Sequence, residues 1–439
     1  MGPSIEALPI ELIEQIVQLL DLCSIASLRL TSRNMERKAS QGYFTKFFHT
    51  KDMALTPRTL QNMIWITSQD HVGGLLQHCN IVGIAEIDMI TQSHANELTD
   101  LLATAFLNLK ERCKNGGLAS LCLRVATIPQ DSNDQTAQSG ASKQWKDIWA
   151  TALCTFNITI AALERSQLSV DDSLDVFGSV KGCSLRCDVF LLWPHSFPST
   201  PIFAKLRRLT VSLSSSCIGF EEQATPGEER DYVPSSNIFR GILEMSRIMP
   251  QLESINLHWY RLGYNVTTLT KPFIDTSGSS TFTHLKELIL RGMHTSANNL
   301  LQFIRELRPT SLTMKDITLT SRVYDPIFEY ITSPESPMAY YCLDDIHHDG
   351  RLVHFNIPGH PKYPHLFQYM REGVHIGPST LIQGIEDVKE PISYLHTRLR
   401  LVSSPQMLCW RSSKRSEYGP PDSDYDFVKL NAPKPVVSN

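Results

Sequence analysis

Two clusters in the sequence hold residue types that could do chemistry. Cys183 and Cys187 are separated by three residues and followed by His195. Thiolate and imidazole are zinc ligands, but a structural zinc site takes four ligands, usually in two tight pairs, and no second pair is evident. His347, His348, His354, His360 and His365 form the other cluster. Metal-binding histidines need defined geometry and usually a cysteine or carboxylate in the set, and two of these five fall in a Pro-rich stretch. The sequence has no G-x-S-x-G elbow, no phosphate-binding glycine loop, no H-E-x-x-H and no C-x-x-C. The presence of both Cys and His leaves a nucleophile with a base open. The expectation is nevertheless no metal, no cofactor and no enzyme.

Bulk properties narrow the remaining function classes. A chain of 439 residues has room for two or three domains. Its apolar fraction of 42% is ordinary, and a net charge of −4 is too small to point to nucleic acid or acidic membranes. The ten cysteines are scattered and read as small core residues with free thiols. Met1 to Glu6 lacks the regions of a signal peptide, Glu6 stands where myristoylation wants Ser or Thr, and no apolar run is long enough to cross a bilayer. The expectation is a soluble intracellular chain, nuclear or cytoplasmic.

The elements that position these residues begin at the N-terminus. Pro9 suits the first turn of a helix in which Leu12, Ile13, Ile16, Val17, Leu19 and Leu20 make a wide apolar stripe. Leu22, Ile25 and Leu28 fit a second helix that Ser24 would cap, and Met35, Ala39, Tyr43 and Phe47 a third. Three short helices bury too little surface to stand alone. They must pack on the rest of the chain, on a partner, or on both.

The run Leu8-Pro9, Glu11-Leu12, Ile16, Leu20, then Leu28-Arg29-Leu30-Thr31-Ser32-Arg33, resembles an F-box, the adaptor-binding module of cullin-based ubiquitin ligases. Met35 departs from the pattern, standing where many members carry Trp or another aromatic. Beyond residue 50 the chain resembles large F-box proteins of filamentous fungi only in general terms. The resemblance implies that Leu8, Pro9, Leu12, Ile13, Ile16, Val17, Leu20, Leu22, Ile25 and Leu28 hold a Skp-type adaptor. That adaptor links to a cullin and a RING subunit, and the rest of the chain holds a target protein of unknown identity. The competing expectation is a leucine-rich-repeat-type protein-binding scaffold acting outside ubiquitin transfer.

Downstream, an apolar triplet recurs: Leu118, Leu121 and Leu123; Leu206, Leu209 and Val211; Leu252, Ile255 and Leu257; Leu285, Leu288 and Leu290; more loosely Leu312 and Met314 with Ile317 and Leu319. Helical patterns lie near these copies, over 93–113, 144–163, 237–249 and 296–307. A strand and a helix that cannot bury their apolar faces alone stack into a solenoid. The spacing is less even than in regular leucine-rich repeats. Polar stretches at 129–142, 221–236, 276–280 and 333–337 read as surface insertions. Asp349-Gly350 suits a two-residue hairpin turn that would pair Ile346 with Val353 and Asp345 with His354. Asp345, His347, His354 and Asn356 would then share a solvated face.

The expected fold class is therefore α/β: a short three-helix F-box over 1–50, a helical linker over 51–92 and an irregular leucine-rich-repeat-like α/β solenoid over 93–335. A C-terminal cap with a β-hairpin over 336–410 and a disordered tail over 411–439 complete the chain.

Overall fold

A computed structural model of the chain describes residues 5–69, 73–85, 92–113, 116–127, 140–180, 183–187, 189–190, 193, 201–214, 235–260, 282, 285–319, 324–348, 351–357 and 378–396. Three helices come first: α1 (Ile10–Leu19), α2 (Leu22–Arg29) and α3 (Arg33–His49). The last runs without a break into β1 (Thr50–Ala54), followed by α4 (Pro57–Thr67), β2 (His78–Ala85), α5 (Gln92–Arg112), β3 (Gly117–Thr127), α6 (Gly140–Ser166) and β4 (Ser169–Val176). Then come β5 (Leu185–Arg186), β6 (Arg208–Ser214), α7 (Ser235–Glu244), β7 (Ser254–Tyr260), β8 (Glu287–Arg291), β9 (His294–Thr295), α8 (Ala297–Leu307) and β10 (Ser311–Lys315). The described chain closes with β11 (Thr318–Leu319), α9 (Asp325–Thr332), β12 (Tyr340–Asp344), β13 (His347–His348), β14 (Arg351–Phe355), β15 (Thr380–Gln383) and β16 (Tyr394–His396).

The fold is mixed α/β. The larger sheet has the order β1-β2-β3-β4-β6-β7-β8-β10-β12-β15, with β5 beside β6. Neighbours along this path are parallel as far as β12, and β15 closes it antiparallel. Parallel neighbours require a crossover of a dozen or more residues, and most described crossovers here contain a helix. A smaller sheet pairs β9, β11 and β13 in parallel and continues antiparallel through β14 to β16.

Register shows why these residues form these strands. Met53, Ile81, Leu123, Val176, Val211, Leu257, Leu290, Met314, Leu343 and Leu381 stand beside one another, strand after strand. All are buried, as are Cys79, Leu121, Leu174, Leu209, Ile255, Leu288, Leu312 and Tyr341, two residues earlier. Side chains alternate across a strand, so the residues between these rows face the other way. Helices cover the buried rows: Leu300, Phe303, Ile304 and Leu307 of α8 are inside. Side chains of Thr56 and Ser296 cap α4 and α8 by accepting from Thr59 N and Asn299 N.

After β8, β10 and β12 the chain turns sharply in the same way. Gly292, Asp316 and Asp345 have φ of +71°, +50° and +50°, and each leads into a short strand of the second sheet. The intervals are 316 − 292 = 24 and 345 − 316 = 29 residues. Glycine adopts this left-handed conformation freely, and Asp is among the few other residues that tolerate it.

Two expectations are corrected. The stretch 51–92 is not a helical linker, since β1 and β2 within it begin the large sheet. Met53, Cys79 and Ile81 supply the strand periodicity there, over runs too short to separate from helix by pattern alone. In the fifth, looser copy Pro309, which is buried, stands one helical crossover after Leu285, the first residue of the fourth. The polar hairpin face is solvated only at Asn356, which is exposed, while Asp345, His347 and His354 are buried. The register itself is as expected, with His347 opposite Leu352 and Val353 N donating to Ile346 O at 2.9 Å. What covers the polar face comes from further along the chain. β16 lies along β14, and Ser379 Oγ donates to Asp345 Oδ1 at 2.8 Å. The turn at 349–350, His195, His360, His365, most of 129–142 and of 221–236, all of 276–280, and 411–439 lie outside the described residues. Among the described residues no helix is long and apolar enough to cross a membrane.

The corner geometry is testable. Gly292→Val should lower the unfolding free energy by about 1–2 kcal/mol, and Gly292→Asp, the residue used at the two following corners, by less. The urea midpoints of the two variants against wild type would measure this; equal midpoints for Val and Gly would show the corner to be unstrained.

Candidate functional site

The N-terminal helices are held by a small core and by lysines. Ile13 and Val17 of α1, Ile25 of α2, and Met35 and Ala39 of α3 are fully buried together. Gly42 of α3 lies directly beneath α1: a Cβ there would come within 2.5 Å of Val17 Cγ1. Lys38 Nζ donates to the carbonyls of Glu6 and Leu8, at 2.8 and 2.7 Å, and so fixes the chain entering α1. Lys46 Nζ donates to those of Gln18 and Leu20, at 2.7 and 2.6 Å, placing a cation at the negative end of the helix. Two α3 lysines therefore bracket α1.

Caps set the remaining angles. Ser32 Oγ accepts from Met35 N at the start of α3. The cap of α2 is Asp21 and not Ser24: the Asp21 carboxylate accepts from Ser24 N at 2.7 Å. Hydrogen bonds from Ser24, backbone first and then side chain, hold the Asp21 carboxyl below the usual carboxylate range. An ionised carboxylate also suits a helix N-terminus better than a hydroxyl does.

The ten residues expected to hold an adaptor divide by burial. Ile13, Val17 and Ile25 have no surface to offer, because they form the module's own core. Leu8, Ile16, Leu20 and Leu28 are half-buried against that core, and Pro9 and Leu12 are exposed. The side chain of Leu22 lies outside the described residues. Exposed leucines complete a different face. Leu12, Ile16 and Leu19 follow one stripe of α1 at i, i+4 and i+7, and Leu19 and Leu30 are each 88% exposed. Leucines so open to water mark an interaction surface when they gather on one small module. Leu19 belongs to the apolar stripe and Leu30 to the resembling run, but only the placement of α3 separates the outer leucines from the inner residues.

The second candidate surface is the open face of the large sheet. Its central row runs from Asn80 and Cys122 through Asn256 and Ile289 to Thr313, Cys342 and Ile382. Polar bonds cross the strands: His78 Nδ1 to Ser120 Oγ at 2.6 Å, Ser254 Oγ to Glu287 Oε2 at 2.6 Å, Lys286 Nζ to Glu253 Oε2 at 2.8 Å. Burial, then the neighbouring charge of His49, holds His78 below the usual imidazole range.

The residues that opened the sequence reading sit elsewhere. Cys183 and Cys187 are buried, and burial pushes the Cys183 thiol far up. Cys79, Cys113, Cys122, Cys154 and Cys342 are raised for the same leading reason, which keeps them as thiols. His347 lies with its Nδ1 3.7 Å from Asp316 Oδ1, and Tyr324 Oη donates to His347 O at 3.1 Å. Among the described residues, no group of three or more His, Cys, Asp or Glu is gathered tightly enough to hold a metal ion.

Compared with known families, residues 5–46 match the F-box domain. No curated protein matches the chain.

The inner and outer residues predict opposite behaviour. Gly42→Val forces α1 off α3 and should speed amide exchange throughout α1 by about tenfold or more, equivalent to roughly 1.4 kcal/mol. Leu19→Ser should leave exchange within about twofold, as surface substitutions do. Hydrogen exchange read by mass spectrometry over 10–20 distinguishes them, and equal effects would refute the division.

Proposed function

Because the chain carries an F-box domain at residues 5–46, we propose that it is the substrate-recognition subunit of a cullin-RING, SCF-type ubiquitin ligase. An F-box implies a Skp-type adaptor as partner. The exposed Leu12, Leu19 and Leu30, with Pro9 and the half-buried Ile16 beside them, are the surface on which that adaptor would sit. Through the adaptor the chain would meet a cullin and a RING subunit inside the cell.

The remainder of the chain reads as an irregular leucine-rich-repeat-like solenoid. Support comes from the parallel order of the strands and from the left-handed corners at Gly292, Asp316 and Asp345. The intervals between those corners fall within the usual repeat lengths of about 20–29 residues. Its open sheet face would hold a target protein close to the ubiquitin-charged enzyme. The chain then makes no bond itself; it supplies proximity, converting an encounter between separate molecules into a local transfer.

The observation that carries this reading is the F-box match, and the test is direct. Full-length tagged chain should co-purify with adaptor and cullin, while Leu12→Asp/Leu19→Asp should not. Two leucines buried in an interface are worth roughly 1.5–3 kcal/mol each before association costs. The expected loss is therefore at least about a hundredfold in adaptor affinity, with an unchanged circular dichroism melt. Adaptor retained at the wild-type level by this variant would refute the assignment of that face.

A further inference from the structure

The open sheet face is unevenly neutralised. Near the amino ends of its strands, cations meet carboxylates of the neighbouring strand: Lys205 with Asp171 at 3.7 Å, Arg208 with Asp172, and Lys286 with Glu253 at 2.8 Å. Toward the carboxyl ends the pattern stops. Arg291 of β8 and Lys315 of β10 are register partners on the open face, and His258 of β7 is the partner of Arg291 on the other side. Among the described residues neither Arg291 nor Lys315 has an ion-pair partner, and the buried Arg291 Nε meets no hydrogen-bond acceptor. Asp344 is the register partner of Lys315 on its far side, but its Oδ1 accepts from Thr380 Oγ1 at 2.7 Å.

Beside these cations runs a row that is apolar at both ends. Ile289, Thr313, Cys342 and Ile382 are successive register partners on β8, β10, β12 and β15, two residues from the charged row on β8 and β10. Ile382 is 59% exposed, and Ile385 just beyond it 83%. On the opposite rim stands Glu287, already accepting from Ser254. The strip thus has isoleucines at both ends, two cations on one rim and Glu287 on the other.

We infer that this strip binds an extended segment of a partner protein that combines apolar side chains with Asp or Glu. The inference rests on the proposed role of the open face in holding a target, and it names the chemistry of that target. Neighbouring strands lie about 4.8 Å apart, so the span from Ile289 to Ile382 is about 14 Å, or roughly four to five residues of extended chain. Such a segment lies across the strands, with apolar side chains over Ile289 and Ile382. Its carboxylates meet Arg291 and Lys315, which are close enough for both to reach one carboxylate or a pair of them. Arginine forms a two-pronged bond to a carboxylate, here through the terminal N–H groups of the half-buried Arg291. Glu287 repels the acidic side and so sets the orientation of the segment.

The probe is a displayed library of random linear twelve-residue peptides, selected on the full-length chain. The enriched peptides should carry Asp or Glu interleaved with Leu, Ile, Val or Phe. Enrichment should fall at least about tenfold on Arg291→Gln/Lys315→Gln and on Ile289→Asp, fall with added salt, and persist on the control Arg208→Gln/Lys286→Gln. No enrichment, a basic or charge-neutral set, or enrichment unchanged on Arg291→Gln/Lys315→Gln overturns the proposal. So does enrichment that appears only after Asp422, Asp424 and Asp426 are all changed to Asn, since the chain's own acidic stretch would then be the occupant. Co-purification of adaptor tests the ligase role separately. Adaptor present with no peptide enrichment defeats this inference alone, and peptide enrichment without adaptor defeats the ligase reading alone.

Discussion

The structure depends on one constraint, the register of the apolar row that runs from Met53 through Val211 and Leu290 to Leu381. Each inner member is flanked by two neighbours on adjacent strands. A one-residue slip in any strand would send its Leu, Ile or Val to the open face and bring a polar residue such as Asn256 or Thr313 inside. No strand can therefore adjust alone. The helices follow from the same constraint, because a parallel neighbour needs a crossover and the buried rows need an apolar cover. At one end β1 carries Lys51 and Asp52 on a short strand, and at the other β15 turns antiparallel over four residues. Short or charged edges of this kind discourage further strands from adding.

The N-terminal module inherits its footing from that sheet. Among the described side chains of the module five are fully buried, too few to order three helices independently. The continuity of α3 into β1 makes the last helix and the first strand one piece of chain. Across the joint the rings of His49 and His78 lie 4.6 Å apart, and Lys51 Nζ stands 3.3 Å from the centroid of Phe47. Lys38 and Lys46 then transmit the position of α3 to both ends of α1. The orientation of the exposed leucines is in this sense set by the sheet, through α3.

Much of this was legible in the sequence where local pattern and final environment agree. The strands at Leu209, Ile255 and Leu288 were readable because two apolar residues with one between them, next to a helical pattern, have one economical interpretation. β4 was not. Asp171, Asp172 and Ser173 precede its Leu174, and Asp175 splits Leu174 from Val176. That carboxyl, raised above the usual range by burial, keeps bonds to Gly178 and Ser179. Gly83 of β2 was opaque for another reason: α6 passes so near that a Cβ would collide with Thr155 Oγ1, a demand made by a helix far along the chain. The hairpin register was readable from Asp349-Gly350, while the burial of His347 and His354 was not, because the covering residues belong to 378–396. In the F-box, the apolar face of α1 was visible, but Leu12 and Ile13 are adjacent in sequence and end on opposite sides of the core boundary.

The two candidate surfaces differ in what they cost when empty, and that difference orders their proposed roles. Leu19 and Leu30 expose apolar area that water disfavours by about 25 cal/mol for each Å². A module built this way gains from a partner that stays, which suits an adaptor held throughout the protein's life. The open sheet face is mostly self-satisfied through pairs such as Ser254 with Glu287 and Lys286 with Glu253. An empty face of this kind carries little penalty, so a target can arrive and leave without destabilising its receptor. Selectivity would then fall to the groups without an ion-pair partner among the described residues, because the Arg291 and Lys315 cations reward a carboxylate and give nothing to a partner without one. A lasting attachment at one end and a selective, reversible one along the sheet is the division of labour that a proximity device requires.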